Sequence, residues 1–251
     1  MQIFYAPGIS GNFWVLDETE SKHSIRVLRL KAGSPVKVID GKGNLYNGII
    51  HKADPKRCEI KIENVVKDFE RRQYSLHIAI SPLKNPERFE WFVEKSVEMG
   101  IDEITPLICK NTEKQSVKSE RINKVIISAM KQSLKARLTI FNEPSGFEDF
   151  IIKKRNGRKL IAHCNPEKSR SKIDSEYSVG NDAVILIGPE GDFTKDEIES
   201  AERNGFSPIH LGNSRLRTET AGLAACYSIY FINQKQYLSG SFFAIFSIFF
   251  F

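Results

Sequence analysis

Two segments near the C-terminus combine glycines, helix-start signals and an arginine, which together could build one ligand-binding pocket. They are Leu186–Ile198 (LIGPEGDFTKDEI) and Leu211–Ala225 (LGNSRLRTETAGLAA). Each runs from an apolar strand through a glycine-containing loop into a helix, and the two lie roughly one strand–helix unit apart. Loops that follow neighbouring parallel strands meet at one edge of a sheet. We therefore expect both segments to line the same pocket.

Arg217 is the residue in these segments with the clearest chemical potential. Its guanidinium keeps its charge and offers a planar fork of donors. Thr218 is placed to cap the following helix, so Arg217 would lie beside the positive end of a helix dipole. That setting suits a phosphate or a base oxygen that gains negative charge. The alternative is a salt bridge from Arg217 to Glu219 or Glu190.

The loop Gly188-Pro189-Glu190-Gly191 differs from both the G-x-G-x-x-G and the P-loop patterns, so it does not favour a diphosphate ligand. Gly188 would let a ligand approach the backbone where a strand ends, and Gly191 can take a positive φ. The loop fits a ligand held by backbone groups through an adenine or a short amino-acid tail. The alternative is an ordinary tight turn without function.

Strands and helices alternate after residue 73, which predicts an α/β domain. The runs Leu160–His163, Ala183–Ile187 and Pro208–Leu211 are nearly continuous in apolar residues and are followed by helical patterns. Such strands are typical of a parallel sheet covered by helices on both faces. Thr194 and Glu197 have the spacing of a capping box at the start of one of these helices.

Residues 1–72 form short alternating runs with turn residues between them, which predicts a small β-barrel. This part carries 13 Lys and Arg against 9 Asp and Glu, so it is denser in positive charge than the remainder. Arg26, Arg29 and Lys31 could line a basic groove for an RNA backbone. The alternative is a solvated cationic face. We place the domain boundary between residues 72 and 73.

The overall composition, with 251 residues and a net charge of +6, is compatible with a polyanionic partner. Neither the cysteines nor the histidines show metal-ligand spacing, so no metal is expected, and the thiols fit a reducing cytoplasm. His163 and His210 at strand ends are expected as core imidazoles. No secretory signal is apparent. The apolar run Phe242–Phe251 is about half the length that a membrane-spanning helix needs, so no membrane attachment is expected.

Four motifs together resemble the ribosomal RNA small subunit methyltransferase E family of the SPOUT superfamily. They are HSIRVLRLKAG, EKSVEMGIDEITPL, LIGPEGDFTKDEI and LGNSRLRTETA, and the similarity extends over about residues 1–235. The resemblance implies an enzyme that uses S-adenosylmethionine to methylate N3 of a uridine in 16S rRNA of the small ribosomal subunit. It also implies a PUA-like RNA-binding barrel at 1–72, an α/β domain with a deep trefoil knot at 73–251, and a homodimer.

For the implied methyl transfer, the chemistry of the residues suggests roles. Arg217 would be catalytic, because a positive charge near the uracil carbonyls lowers the pKa of N3, and Glu190 or Glu219 could accept the proton, with a water chain as an equal alternative. Arg215 would join the basic residues of the first domain in binding RNA. The cofactor would contact Ala162, His163, Cys164, Leu186, Ile187, Gly188, Glu190, Gly191, Leu211, Gly212 and Leu216. Asn213 and Thr139 stand where many relatives carry proline, which puts loop details in question.

Three other functions remain open at this point. The chain could be a non-catalytic RNA-binding protein, or an α/β enzyme that binds a nucleotide and acts on a small molecule. It could also be a sister methyltransferase with another rRNA or tRNA target. Binding of S-adenosylmethionine would distinguish a methyltransferase from a non-catalytic RNA-binding protein. Salt-dependent affinity for ribosomal RNA would distinguish it from an enzyme that acts on a small molecule.

Overall fold

The computed structural model describes the backbone of residues 2–240 and the side chains of residues 2–234, so the Phe242–Phe251 run lies outside the described residues. The chain divides into two compact units. The first contains Met1–Arg72 and Asn123–Thr139, and the second contains Gln73–Ile122 and the chain from Ile140 onward. Within the first unit, Lys131 Nζ lies 2.7 Å from a carboxylate oxygen of Glu20, which ties the later segment to the earlier one.

A five-stranded mixed sheet in the form of a half-barrel builds the first unit. Strands β1 and β3 pair in parallel, whereas the pairs β2–β5, β3–β4 and β4–β5 are antiparallel. A short helix follows β2 and continues as a π-helical segment over His23–Val27. The sequence order is β1 (Gln2–Tyr5), β2 (Phe13–Val15), α1 (Glu18–Lys22), β3 (Pro35–Ile39), β4 (Leu45–Lys52) and β5 (Glu59–Val66).

A parallel sheet with helices builds the second unit, as the alternating pattern predicts. Its strand order is β11-β13-β10-β12-β6-β7-β8, with β9 paired to β7. A deep knot stays a prediction. Helix α3 (Ser119–Gln132) begins in the second unit, but its residues from Asn123 onward belong to the first unit. The other elements after β5 are β6 (Leu76–Ile80), α2 (Pro86–Glu98), β7 (Glu103–Ile108), β8 (Ile140–Phe141), β9 (Ser145–Gly146), α4 (Phe147–Ile151), β10 (Arg158–Ala162), β11 (Ser171–Lys172), α5 (Ile173–Glu176), β12 (Ala183–Ile187), α6 (Lys195–Arg203), β13 (Ser207–His210) and α7 (Thr218–Gly240).

Local sequence explains the central strands and the helix starts. Every residue of β6 and β12 is buried, in agreement with a continuous apolar run in β12 and a run in β6 that only His77 interrupts. At the start of α6, Thr194 and Glu197 form both bonds of the expected capping box. At the start of α2, the Asn85 side chain accepts a hydrogen bond from the backbone N–H of Glu87 at 2.9 Å.

The register of three strands brings the ends that carry the predicted loops to one edge. Ala162 at the end of β10 lies opposite Ile187 of β12 on one side and Ile209 of β13 on the other. The loops after these strands therefore begin side by side. Among the described residues, no helix is long and apolar enough to cross a membrane.

Candidate functional site

The loops after β10, β12 and β13 enclose one cleft, together with the first turn of α7. The cleft has a volume of about 1180 Å³ and lies wholly within the second unit. The two segments that the sequence singles out are both on its wall. The predicted site residues that line it are Ala162, His163, Cys164, Ile187, Gly188, Glu190, Gly191, Leu211, Gly212, Arg215, Leu216 and Arg217.

Some predicted residues are placed elsewhere. Leu186 is fully buried in the apolar core of the second unit and does not line the cleft. Glu219 is buried in the first turn of α7 and is also absent from the cleft wall. Arg26, Arg29 and Lys31 are exposed residues of the first unit.

The loop after β10 presents a buried imidazole and an exposed thiol to the cleft. His163 Nδ1 accepts a hydrogen bond from the Asn165 N–H at 3.2 Å, whereas its buried Nε2 has no hydrogen-bond partner among the described residues. Burial lowers the pKa of His163. The ring is therefore neutral at pH 7. Because Nδ1 accepts a hydrogen bond, the ring proton is on Nε2, which can donate one further hydrogen bond, so His163 is not the fully satisfied core histidine that its position suggests.

The strained residue of the Gly-Pro-Glu-Gly loop is Asp192 rather than Gly191. Asp192 has a φ of +61°, whereas Gly191, which could take a positive φ, does not. Asp192 Oδ2 accepts a hydrogen bond from the Cys164 N–H at 2.8 Å, which links this loop to the loop after β10. A Cβ on Gly188 would lie 3.1 Å from the ring of Phe193, so the glycine there makes room for a core aromatic ring.

The start of α7 is tied to the end of β12. Helix α7 begins at Thr218, and the Thr218 hydroxyl donates a hydrogen bond to the Gly188 carbonyl at 3.0 Å. Thr218 therefore joins two loops, and the expectation that it caps the helix is wrong. The Ala221 N–H donates to the Arg217 carbonyl at 2.7 Å, which places Arg217 immediately before the helix.

The Arg217 side chain is exposed on the cleft wall. In the part of the chain that the structure describes, no carboxylate oxygen lies within 4.0 Å of its guanidinium. The proposed alternative of a salt bridge to Glu219 or Glu190 is therefore not present. Instead, Glu219 Oε1 lies 3.8 Å from Nε of Arg88.

Comparison with known protein families identifies the chain. Residues 70–230, more than half of the sequence, match the model of an RNA methyltransferase domain. The chain belongs to this RNA methyltransferase family. Residues 16–63 also match the model of an RNA methyltransferase PUA domain, in agreement with the predicted barrel.

Individual relatives agree with this assignment. The ribosomal RNA small subunit methyltransferase E of Rickettsia conorii is 30% identical over 216 residues, which are 83% of this chain and 86% of that protein. A solved structure described as a "probable rRNA-methyltransferase" from Porphyromonas gingivalis is 39% identical. It covers 94% of this chain and 100% of its own, with a TM-score of 0.89.

A third relative was solved with a ligand. It is a ribosomal RNA small subunit methyltransferase E from Neisseria gonorrhoeae bound to S-adenosyl methionine. It is 26% identical, covers 92% of this chain and 98% of its own, and has a TM-score of 0.81. The methyltransferase fold of this chain is therefore the fold of a protein that binds that molecule.

The structure adds cleft residues that sequence reasoning missed. They are polar or charged side chains, of which four lie outside the two C-terminal segments, Asp192 lies inside the first segment and Ser214 inside the second. Arg170 Nη1, for example, donates to the His163 carbonyl at 2.8 Å. With these additions, five Arg or Lys side chains and only two carboxylates line the cleft of the methyltransferase. The added residues are Arg88, Asn165, Lys168, Arg170, Asp192 and Ser214.

The composition of the cleft fits an organic ligand better than a metal. No group of three or more His, Cys, Asp or Glu side chains that could hold a metal occurs among the described residues. The wall combines apolar side chains such as Ile187 and Leu211 with backbone groups and polar side chains such as Asn213 and Ser214. Pockets for nucleoside-sized molecules have this mixture of apolar surface and a few placed polar groups.

Proposed function

We propose that this enzyme transfers a methyl group from S-adenosylmethionine to N3 of a uridine in 16S rRNA during maturation of the small ribosomal subunit. One observation carries the proposal: three loop ends share a cleft in an RNA methyltransferase fold with the guanidinium of Arg217, which has no ion-pair partner among the described residues. The relatives named ribosomal RNA small subunit methyltransferase E support the choice of RNA. The relative with bound S-adenosyl methionine supports the choice of cofactor.

The residues of the cleft fit this cofactor. The apolar wall and the adjacent backbone groups would hold its adenine, and the polar side chains would hold its amino-acid part. The predicted contact residues are proposed to hold it, with Leu186 acting from the core behind the wall. When bound, S-adenosylmethionine supplies an electrophilic methyl group on a sulfonium. The chain itself therefore has to bind and align the cofactor and the uracil, and it has to take up the proton that leaves the uracil.

Arg217 is proposed to act on the uracil. Its positive charge beside the uracil carbonyl oxygens would stabilise the negative charge that develops when N3–H loses its proton. Two carboxylates are candidates to receive that proton, directly or through water. Glu190 is exposed on the cleft wall, and Glu219 has a buried Oε2 without a hydrogen-bond partner among the described residues.

The first unit is proposed to bind the RNA backbone. Arg26, Arg29 and Lys31 are exposed there, and Arg215 is exposed on the cleft wall. Such residues attract phosphate irrespective of sequence. We keep the division into an RNA-binding domain at 1–72 and a methyltransferase domain at 73–251, the homodimer and a cytoplasmic location as parts of this proposal. The target uridine would have to leave its stack to enter the cleft.

The test uses Arg217→Ala, with Arg203→Ala as the matched control, because Arg203 is an exposed arginine of the same unit away from the cleft. We expect Arg217→Ala to bind S-adenosylmethionine in a calorimetric titration as the wild type does. Its methyl transfer to small ribosomal subunits should fall on the order of 10²-fold or more. Wild-type turnover in this variant would remove Arg217 from the mechanism.

Mass spectrometry of ribosomal RNA identifies the methylated base. The rRNA of cells that lack this protein should miss one 3-methyluridine of 16S rRNA. A missing methyl group at a ribose or at another base would instead assign the chain to a sister methyltransferase.

A further inference from the structure

A second arginine reaches the cleft from a distant part of the sequence. Arg88 lies in the first turn of α2, and its side chain lines the cleft on which Arg217 also lies. The Arg88 side chain is 40% exposed, so the guanidinium is open to a ligand in the cleft. None of the sequence motifs indicates this position.

Glu219 lies behind Arg88. The Glu219 side chain is only 8% exposed, its Oε1 lies 3.8 Å from Nε of Arg88, and its buried Oε2 has no hydrogen-bond partner in the described part of the chain. A buried carboxylate with so few hydrogen bonds is costly unless a cation stands beside it. The carboxylate therefore attracts the Nε side of the guanidinium. At 3.8 Å, however, the Glu219 carboxylate and the Arg88 guanidinium do not form a close, bidentate ion pair.

The close approach of α2 and α7 brings the two arginines to the same cleft. A Cβ on Gly222 of α7 would lie 2.7 Å from Cε2 of Phe92 in α2 and 2.8 Å from Cδ1 of Ile80. Only a glycine lets the helices pack at this distance without a shift of core side chains. The N-terminal turns of both helices therefore face one cleft, with one arginine at each.

We infer that Arg88 binds a phosphate group of the RNA strand beside the target nucleotide, and that Glu219 positions the Arg88 guanidinium for this contact. The inference rests on the proposed function, because it requires RNA as the substrate. The planar guanidinium of an arginine can donate two hydrogen bonds to two oxygens of one phosphate. When the base of a nucleotide enters the cleft, the phosphate beside it comes within reach of a cation on the cleft wall. In this arrangement Arg217 contacts the base of the substrate, and Arg88 contacts its phosphate backbone.

A structural role is the competing explanation. Arg88 could serve only to neutralise the buried Glu219, and Arg88→Ala would then weaken RNA binding merely because an unpaired buried charge disturbs the cleft. The double variant Arg88→Ala/Glu219→Gln separates the two roles, since it removes both charges together. Lys84→Ala is the matched control for loss of a positive charge near the start of α2. Lys84 is exposed, pairs with Glu113 at 3.3 Å and does not line the cleft.

The experiment measures filter binding of small ribosomal subunits from cells that lack the enzyme, at several salt concentrations, and calorimetric binding of S-adenosylmethionine. We expect Arg88→Ala to weaken subunit binding about 10-fold. The slope of log affinity against log salt should become shallower by about 0.7–0.9. Arg88→Lys should keep the slope but regain only part of the affinity. Glu219→Gln alone should give an intermediate loss, and Lys84→Ala should behave as the wild type.

The double variant decides the matter. If Glu219 acts by positioning Arg88, the double variant binds subunits as weakly as Arg88→Ala although its melting temperature recovers. Recovery of wild-type subunit affinity in the double variant would overturn the inference, and so would a matching loss of affinity for S-adenosylmethionine in Arg88→Ala. Filter binding needs no turnover. A wild-type enzyme that binds subunits but leaves the uridine unmethylated would therefore contradict the proposed function separately.

Discussion

The buried His77 makes the stability of the second unit depend on pH. His77 lies in β6 and is 6% exposed, with its Nε2 2.8 Å from the Thr105 hydroxyl and its Nδ1 3.5 Å from a carboxylate oxygen of Glu103. Burial, reinforced by the positive charge of Arg155, lowers the pKa of His77 to about 3. These effects outweigh the nearby Glu103 carboxylate, which favours the charged ring. The folded protein therefore keeps this imidazole neutral at mildly acidic pH.

The sign of the effect follows from comparison with the unfolded chain, in which a histidine titrates near its ordinary pKa of 6.5. Below that value the unfolded chain binds a proton that the folded protein does not bind, so stability is full above pH 6.5 and falls as the pH is lowered toward 3. At pH 5 the loss from this one group is about 2 kcal/mol relative to pH 7.5. The figure holds for any folded pKa below about 4, because the folded ring is then almost unprotonated at pH 5.

The assay is urea denaturation of the wild type and of His77→Gln at pH 7.5 and pH 5.0. Glutamine retains a polar group for Thr105 but has no proton to gain in this range. Between the two pH values the wild type should lose about 2 kcal/mol more than the variant. All other titrating groups are shared, so their contributions cancel in the comparison. Equal losses in the two proteins would refute the account of a neutral, buried His77.

Three further predictions concern the cleft and the contact of Gly222 with α2. Gly222→Ala should destabilise the protein by up to about 2 kcal/mol, because overpacking against Phe92 costs about 1–3 kcal/mol and helix propensity returns about 1; a variant that urea denaturation shows to be more stable than the wild type would contradict the tight contact. Thr218→Val should cost about 1–3 kcal/mol and weaken S-adenosylmethionine binding in calorimetry, since the buried Gly188 carbonyl loses its donor. Iodoacetamide should label the exposed Cys164 before the three buried cysteines, and S-adenosylmethionine should slow the labelling; mass spectrometry would expose the opposite order.

The parts of the fold that the sequence predicts well are those with continuous apolar runs and clear breakers. The bounds of Ala183–Ile187 agree with the structure, and the predicted runs Leu160–His163 and Pro208–Leu211 lie within two residues of the bounds of β10 and β13. The two-residue strands Ile140–Phe141 and Ser171–Lys172 were not predicted, because two residues contain no detectable alternation. They exist through pairing with β7 and β13, which is a tertiary property.

The candidate site could also be predicted only in part. The loop residues could be predicted, since a strand, a glycine-rich turn and a helix start are consecutive in sequence and parallel strands bring such loops together. Local geometry within them could not. The positive φ falls on Asp192 instead of Gly191, and the Asp192 side chain compensates by accepting hydrogen bonds from the Phe193 and Cys164 N–H groups.

Arg88 is beyond the reach of local patterns for a different reason. About 130 residues separate it from Arg217, and its place on the cleft depends on how closely α2 packs on α7. That distance is set by Gly222, a glycine inside a helix, which on propensity alone costs about 1 kcal/mol relative to alanine. A helix that keeps this residue gains a close contact that alanine would not allow. The unfavourable glycine is thus the sequence signal that two helices meet there, and it locates a second arginine that no motif marks.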